Sequence, residues 1–239
     1  MKEVDIVIIS NAKDIFLRDT THIAIDSLYK SEDPEKIKFK VVVVESNKDI
    51  SYNSYNEDPN KDVKTIYTDM PFGYHRYLNF GRKVGNSEYV VLCNNDLEFM
   101  ANWATNAINA MNETGVWSAG CCNPNKSLHK KHIEQGHRII HGHAVSNHIT
   151  GWCIFQKREI YEHIGDLDET FEFWFSDNDY SQTLIKKGFY NILVVNSHVL
   201  HHDGTLGETS KREKDIKKRD EMTNGGQIIY ANKWMNKKS

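Results

Sequence analysis

The chain has 239 residues, of which 39% are hydrophobic, 11% aromatic and 26% charged. That is the composition of a soluble globular protein with one large core, and it excludes a disordered, fibrous or membrane-embedded chain. The formal net charge of −3 excludes a global electrostatic pull toward nucleic acid or an anionic lipid surface, so no nucleic-acid partner is expected.

Residues 4–9 (VDIVII) read as a buried strand that ends in a Ser10-Asn11-Ala12 loop. The spacing of Ile15, Leu17, Ile23, Ile25 and Leu28 predicts a helix over 14–30, stopped before Pro34. Residues 39–44 (FKVVVV) are the clearest strand, because β-branched side chains favour a position buried on both faces. Residues 47–62 are polar and read as a loop, followed by a short strand at 63–67 and a helix from Gly73 to Gly85 entered through a glycine turn. Residues 88–93 form the fourth strand and run into Asn94-Asn95-Asp96.

This order predicts an α/β fold with an open, mostly parallel sheet flanked by helices. In such sheets ligands bind outside the carboxyl ends of the strands, where Asn11, Glu45 and Asp96 all fall. Residues 98–112 have a helical pattern, and 119–150, rich in Gly, His, Asn and Lys with little periodicity, read as including a flexible or acceptor-facing loop that closes over substrate. Six histidines crowd that loop, but their spacing does not match a zinc-protease site. Residues 206–222 mix both charge signs with almost no apolar stripe and read as a solvated helix or a mobile segment.

The four cysteines (Cys93, Cys121, Cys122 and Cys153) lack C-x-x-C spacing, and two are adjacent, which does not suit a disulfide framework. Reduced thiols and a cytoplasmic location are expected. No run approaches the ~18 apolar residues of a membrane span, and the first apolar run is a strand rather than a signal peptide.

The chemistry-bearing residues form an ordered series. Asn94-Asn95-Asp96 is followed by Gly151-Trp152-Cys153, then Arg158-Glu159-Ile160-Tyr161 and Ile164-Gly165-Asp166-Leu167-Asp168-Glu169. Phe175-Ser176-Asp177-Asn178-Asp179-Tyr180, Lys187-Gly188-Phe189-Tyr190 and His201-His202-Asp203-Gly204 complete it. A strand-end carboxylate, a second acidic cluster and a later histidine are what a divalent metal and a general base require.

This series, running from about residue 4 to residue 205, resembles the family-2, GT-A-type glycosyltransferases, especially the rhamnosyltransferase-like branch. The resemblance implies a single GT-A domain over 1–239. Its nucleotide-sugar half would be 1–97 and its acceptor and catalytic half 98–205, followed by a charged segment over 206–239. It also implies an inverting, metal-dependent hexosyl transfer from a UDP- or dTDP-linked sugar to a hydroxyl of a glycan or other acceptor, with Mn2+ or Mg2+.

Residue by residue, the resemblance puts Asp96 on the metal and His201 beside it, with His202 as the alternate. Asp177 takes the place of the catalytic base, and Asp179 the further carboxylate on the acceptor side. Ser176 stands where the family has a glutamate. Ser10, Asn11, Glu45, Asn79, Arg82, Asn94 and Asn95 fall on the nucleotide side, with Asn79-Phe80-Gly81 resembling the family's N-x-G motif. Trp152 and Trp174 are the acceptor-binding candidates, since an aromatic face suits stacking on a sugar.

Two other readings keep the fold. One is a catalytically inactive nucleotide- or carbohydrate-binding module, favoured by the neutral Asn94-Asn95 and by Ser176. The other is a glycosyltransferase acting on modified bases in DNA, which the missing basic face disfavours.

Overall fold

Two β-branched runs build the frame. Strand β1 (Lys2–Ser10) and strand β2 (Ile37–Glu45) pair in parallel, with Ser10 opposite Glu45. Val41, Val42, Val43 and Val44 are all buried, as a strand covered on both faces requires. In this computed structural model the described residues are 1–48, 54–202 and 216–236, without the side chains of 216–219 and 222.

Helix α1 (Ile15–Lys30), capped by the Asp14 carboxylate accepting from Leu17 N at 2.9 Å, crosses from β1 to β2. Strand β3 (Val63–Tyr67), helix α2 (Tyr74–Arg82) and strand β4 (Tyr89–Cys93) follow, giving a parallel order β3-β2-β1-β4. All four strands run the same way, so Ser10, Glu45 and the Asn94-Asn95-Asp96 turn share one edge of the sheet.

The second half extends the sheet. Its elements are β5 (Leu97–Phe99), α3 (Trp103–Thr114), β6 (Ser118–Cys122), α4 (Ser127–Glu134), β7 (Ile139–His141) and β8 (Cys153–Lys157). Then come α5 (Ile160–Ile164), α6 (Ser176–Lys187) and β9 (Asn191–His201). Helix α7 (Ile216–Tyr230) continues into a π-helical turn, Ala231–Met235. The full order is β3-β2-β1-β4-β8-β6-β9-β5, with β7 also on β9.

Strand β8 is antiparallel to β4 with Cys153 opposite Cys93, so β8 begins where β4 ends and delivers Gly151-Trp152 to the same edge. Strand β9 is antiparallel to β5, with His201 opposite Leu97, and so it ends beside Asp96. One apolar cluster, including Ile6, Ile8, Trp103 and Phe155, fills one face of the sheet; a second, including Val7, Val44, Leu92 and Tyr180, fills the other. Away from the site, the buried Asp5 carboxylate takes the Arg158 guanidinium and the Ser87 hydroxyl and amide. Removing either charge alone would leave the other poorly compensated, at a cost of about 3–5 kcal/mol where such a pair is buried.

The structure differs from sequence expectation in two places. The helix expected over 98–112 starts only at Trp103, because Leu97 and Phe99 alternate inward as a short strand before the helical period begins. The stretch 119–150 is no plain loop: it contributes β6, α4 and β7. Of the charged stretch 206–222, residues 216 onward open a helix, and the rest lies outside the described residues. Among the described residues no helix is long and apolar enough to cross a membrane.

Candidate active site

Asp96 sits in the turn between β4 and β5, buried at 7% exposure. Its Oδ1 is enclosed yet accepts no hydrogen bond among the described residues. Nε2 of His201 stands 3.3 Å from that oxygen, within ion-pair distance but out of hydrogen-bond alignment. Buried polar atoms are nearly always paired. A buried carboxylate oxygen and an imidazole nitrogen thus stand side by side at the end of the sheet.

The turn itself is firmly held. Asn94 N donates to Trp152 O at 2.9 Å, His202 N donates to Asp96 O at 3.1 Å, and Asn95 Nδ2 donates to Thr21 Oγ1 at 3.0 Å. The Trp152 ring lies nearly parallel to that of His201, with centroids 5.3 Å apart, and so fixes the imidazole plane. His202 is turned elsewhere, its Nε2 3.3 Å from Glu98 Oε2. The structure therefore brings together Asp96 and His201 and leaves His202 apart; Asp203 and Gly204 of the same motif lie outside the described residues.

Asp177 is the second residue of α6 and is half-buried. It comes against the Gly151 backbone: a Cβ added at Gly151 would lie 2.9 Å from Cβ of Asp177 and 3.0 Å from its Oδ2. Desolvation raises the pKa of its carboxyl above the ordinary aspartate value, opposed by the Asn178 amide and by the charge of Lys126. The Tyr74 hydroxyl donates to Gly151 O at 2.6 Å and lies 3.0 Å from the Asn94 side-chain oxygen. One phenol thus links the Asn94-Asn95-Asp96 turn to the loop beside Asp177. Burial drives its pKa well up, so it stays a neutral donor.

A polar chain also runs along the carboxyl edge at Ser10 and Glu45. Thr21 Oγ1 lies 3.2 Å from Ser10 Oγ, Ser10 Oγ lies 3.1 Å from the Tyr55 hydroxyl, and Tyr55 donates to Glu45 Oε2 at 3.1 Å. Glu45 is fully buried and also accepts from Ala12 N at 3.2 Å and Asn47 N at 2.7 Å. Its carboxylate is already saturated and shapes the Ser10–Ala12 loop. Asn11 is half-exposed there, its carbonyl accepting from Lys13 N at 3.0 Å.

Three expectations are corrected. Asn79 is buried; it donates to Leu167 O at 2.8 Å and accepts from Leu167 N at 3.0 Å. Gly81 of the same motif lets the helix approach the sheet, since a Cβ there would collide with Val7 and Val44. Arg82 pairs with Asp166 and stacks on the Tyr161 ring at 3.7 Å, while its carbonyl takes Arg158 Nη1. Arg158 is the partner of Asp5 near the start of β1, so Arg82 lies toward the end of the sheet opposite the site. These residues face packing partners rather than the nucleotide edge, because α2 runs back from that edge and carries its last turn away.

Asp179, expected on the acceptor side, is 2% exposed, and its Oδ1 receives Trp234 Nε1 and Lys233 Nζ, each at 2.7 Å. It anchors the carboxyl-terminal turn. Trp174 is 38% exposed, with Phe173 edge-on to it. In the histidine-rich stretch, His129 accepts from Asn123 N at 2.8 Å and donates through Nε2 to Asn147 O at 2.9 Å, and burial lowers its pKa to about 4. It is a neutral structural group, and no set of three or more metal-ligating side chains forms among the described residues.

Sequence reasoning missed Tyr74, Tyr55 and Thr21. Tyr74 had one available signal, its place on the first turn of the helix that opens at the carboxyl edge. The others depend on contacts across the chain.

Known proteins match this chain over most of its length. The family model described as glycosyl transferase family 2 matches residues 6–181. The O-antigen biosynthesis protein RfbC of Myxococcus xanthus is 22% identical over 158 residues, which is 56% of this chain but only 12% of that protein. Three solved structures are similar in fold. The mannosyltransferase PcManGT from Pyrobaculum calidifontis, in complex with GDP-Man and Mn2+, has a TM-score of 0.63 at 16% identity, covering 87% of this chain and 59% of that one. GalNAc-T7 with UDP, GalNAc and Mn2+ gives 0.61 at 16% identity, over 83% and 42% of the two chains. S. aureus TarS residues 1–349 give 0.62 at 12% identity, over 99% and 74%. These likenesses extend to the GT-A arrangement of sheet and helices, and with the family model covering well over half of its residues, the chain belongs to glycosyl transferase family 2.

Proposed function

We propose that the protein transfers a sugar, with inversion, from a UDP- or dTDP-linked donor to a hydroxyl of a glycan or other acceptor, using Mn2+ or Mg2+. The observation that carries the reading is the unpartnered Oδ1 of Asp96 facing His201, on the same sheet edge that carries Gly151 and Asp177. Mn2+ and a nucleotide or nucleotide sugar in the PcManGT and GalNAc-T7 structures support it. The motif series keeps the rhamnosyltransferase-like branch as the proposed placement within the family.

The residues fit a cation. A carboxylate oxygen buried without a donor and a nitrogen beside it would hold a divalent ion such as Mn2+ or Mg2+. When bound, the ion stabilises the charge that develops on the departing diphosphate. Trp152 holds the His201 ring for that task.

The chain's own groups supply the rest. Asp177 takes the proton of the acceptor hydroxyl as that oxygen attacks the anomeric carbon, and a carboxyl with a raised pKa is a stronger base for it. Trp174 offers an exposed ring on which the acceptor would stack. Ser10, Asn11, Asn94 and Asn95 border the nucleotide, and Glu45 acts on it indirectly by fixing the Ala12 and Asn47 amides. Residues 1–97 form the donor half and 98–205 the acceptor half. A cytoplasmic setting is part of the proposal, supported by four buried, free cysteines.

The test is release of nucleotide from a panel of nucleotide sugars, with and without Mn2+. Metal-dependent release from one donor supports the reading. Tight nucleotide binding without release from any donor would make the protein a binding module instead.

A further inference from the structure

The first turn of α6, which carries Asp177, lacks a cap of its own. Its N-cap residue Phe175 makes no side-chain capping bond and has a left-handed backbone at φ 66°, which a bulky residue adopts only under constraint. The carboxyl-terminal segment packs against this turn. Trp234 Nε1 and Lys233 Nζ both reach Asp179 Oδ1 at 2.7 Å, and Lys233 also reaches Asp168 Oδ2 at 2.6 Å. The Tyr230 ring lies 5.5 Å from that of Phe175, and a Cβ at Gly226 would come within 2.5 Å of the Trp174 carbonyl oxygen. Five contacts from one segment thus converge on residues 168–179, on either side of the base candidate.

We propose that Trp234 and Lys233 are positioning residues for glycosyl transfer, holding the first turn of α6, and with it Asp177, through Asp179. The carboxyl-terminal turn is then part of the catalytic apparatus although it touches neither donor nor acceptor. The inference rests on the reading of Asp177 as the base.

The experiment combines kinetics with amide exchange. Trp234→Phe keeps a ring and removes the indole N–H; Lys233→Met keeps the stem and removes the charge. Each should lower kcat about tenfold with donor KM unchanged, since a misplaced base slows the chemical step and not donor binding. In an Asp177→Asn background the same Trp234→Phe change should alter kcat by less than about twofold, because there is no base left to misplace. Exchange of the Asp179 amide, which donates to Phe175 O at 2.9 Å, should quicken about tenfold in Trp234→Phe.

An undiminished effect in the Asp177→Asn background overturns the inference, as does a rise in donor KM with kcat unchanged. So does unaltered amide exchange. A wild-type protein that turns over no donor would defeat the functional reading itself, and the exchange measurement then decides the tether alone.

Discussion

Gly151 and Asp177 stand so close that no methyl group fits between them: a carbon added at Gly151 would lie 2.9 Å from Cβ of Asp177 and 3.0 Å from its Oδ2. The glycine is required by its neighbour, and the loop that carries it is fixed by the Tyr74 hydroxyl. Gly151→Ala should displace the carboxylate and leave the Asp96 turn in place. A displacement of this size costs about 100-fold in rate. The expected outcome is a kcat lowered by that order with donor affinity retained, read by steady-state kinetics beside nucleotide titration. Wild-type turnover in Gly151→Ala would detach Asp177 from catalysis.

Asp96→Ala removes the buried oxygen that lacks a donor. Nucleotide affinity measured with Mn2+ should fall to its metal-free level, and the rise in Tm that Mn2+ plus nucleotide gives the wild type should vanish. The metal-free Tm should not drop, because no hydrogen bond to that oxygen is lost. Unchanged metal-dependent affinity would remove Asp96 from the cation site.

The two adjacent histidines should separate cleanly. His201 faces Asp96 and stacks on Trp152, while His202 faces Glu98. His201→Ala is expected to lower metal-dependent turnover by at least about tenfold, as loss of a metal ligand or its support does. His202→Ala should stay within about threefold of wild type, the scale of a half-exposed pair. The reverse order in parallel assays would shift the ligand by one residue.

Asp177→Asn preserves volume and removes the proton acceptor, so transfer should fall about 10²–10⁴-fold while donor binding survives. Asp179→Asn should act differently, loosening the carboxyl-terminal turn and lowering Tm. The base works only when ionised, so wild-type activity should be lost as pH falls through the raised pKa of Asp177, above the ordinary aspartate range of about 3.9.

The stability effect of Asp177 has the opposite sense from that of a salt-bridged carboxylate. Between the unfolded value and the raised folded one, the native state holds the proton more often than the unfolded chain, so stability falls as pH rises through that window. Above it the folded protein carries a desolvated charge. Asp177→Asn should therefore have a Tm above wild type at neutral pH, with the difference closing below the unfolded pKa. A lower Tm for Asp177→Asn at pH 7 would contradict the desolvation.

The strands were legible where chemistry and burial coincide. Val41–Val44 can hardly be anything but a doubly buried strand, and Asp96 follows from a strand that ends in polar residues. Leu97–Phe99 was hidden because its period of two runs straight into the helical period from Trp103. Asn79 and Arg82 misled because a side chain's chemistry is written in its identity, whereas its direction depends on which turn of the helix it occupies. Asp179 sits two residues beyond Asp177, yet its partners lie at 233 and 234 and no local pattern announces them. The link from Tyr74 to Gly151 depends on contacts that exist only after β8 has been laid beside β4.

The placement of β9 has a bearing on how the chain acquires its chemistry. This strand pairs with β5, β6 and β7 and ends in His201, so a loop of roughly a hundred residues, from 97 to 201, must close before Asp96 meets its histidine. A nascent chain still short of β9 has not yet brought His201 to Asp96, so on the proposed reading its seat for the ion is incomplete. Partly made or partly folded molecules would be chemically silent: they could hold nucleotide without wasting donor sugar on water, and turnover would begin only with the last strand in place.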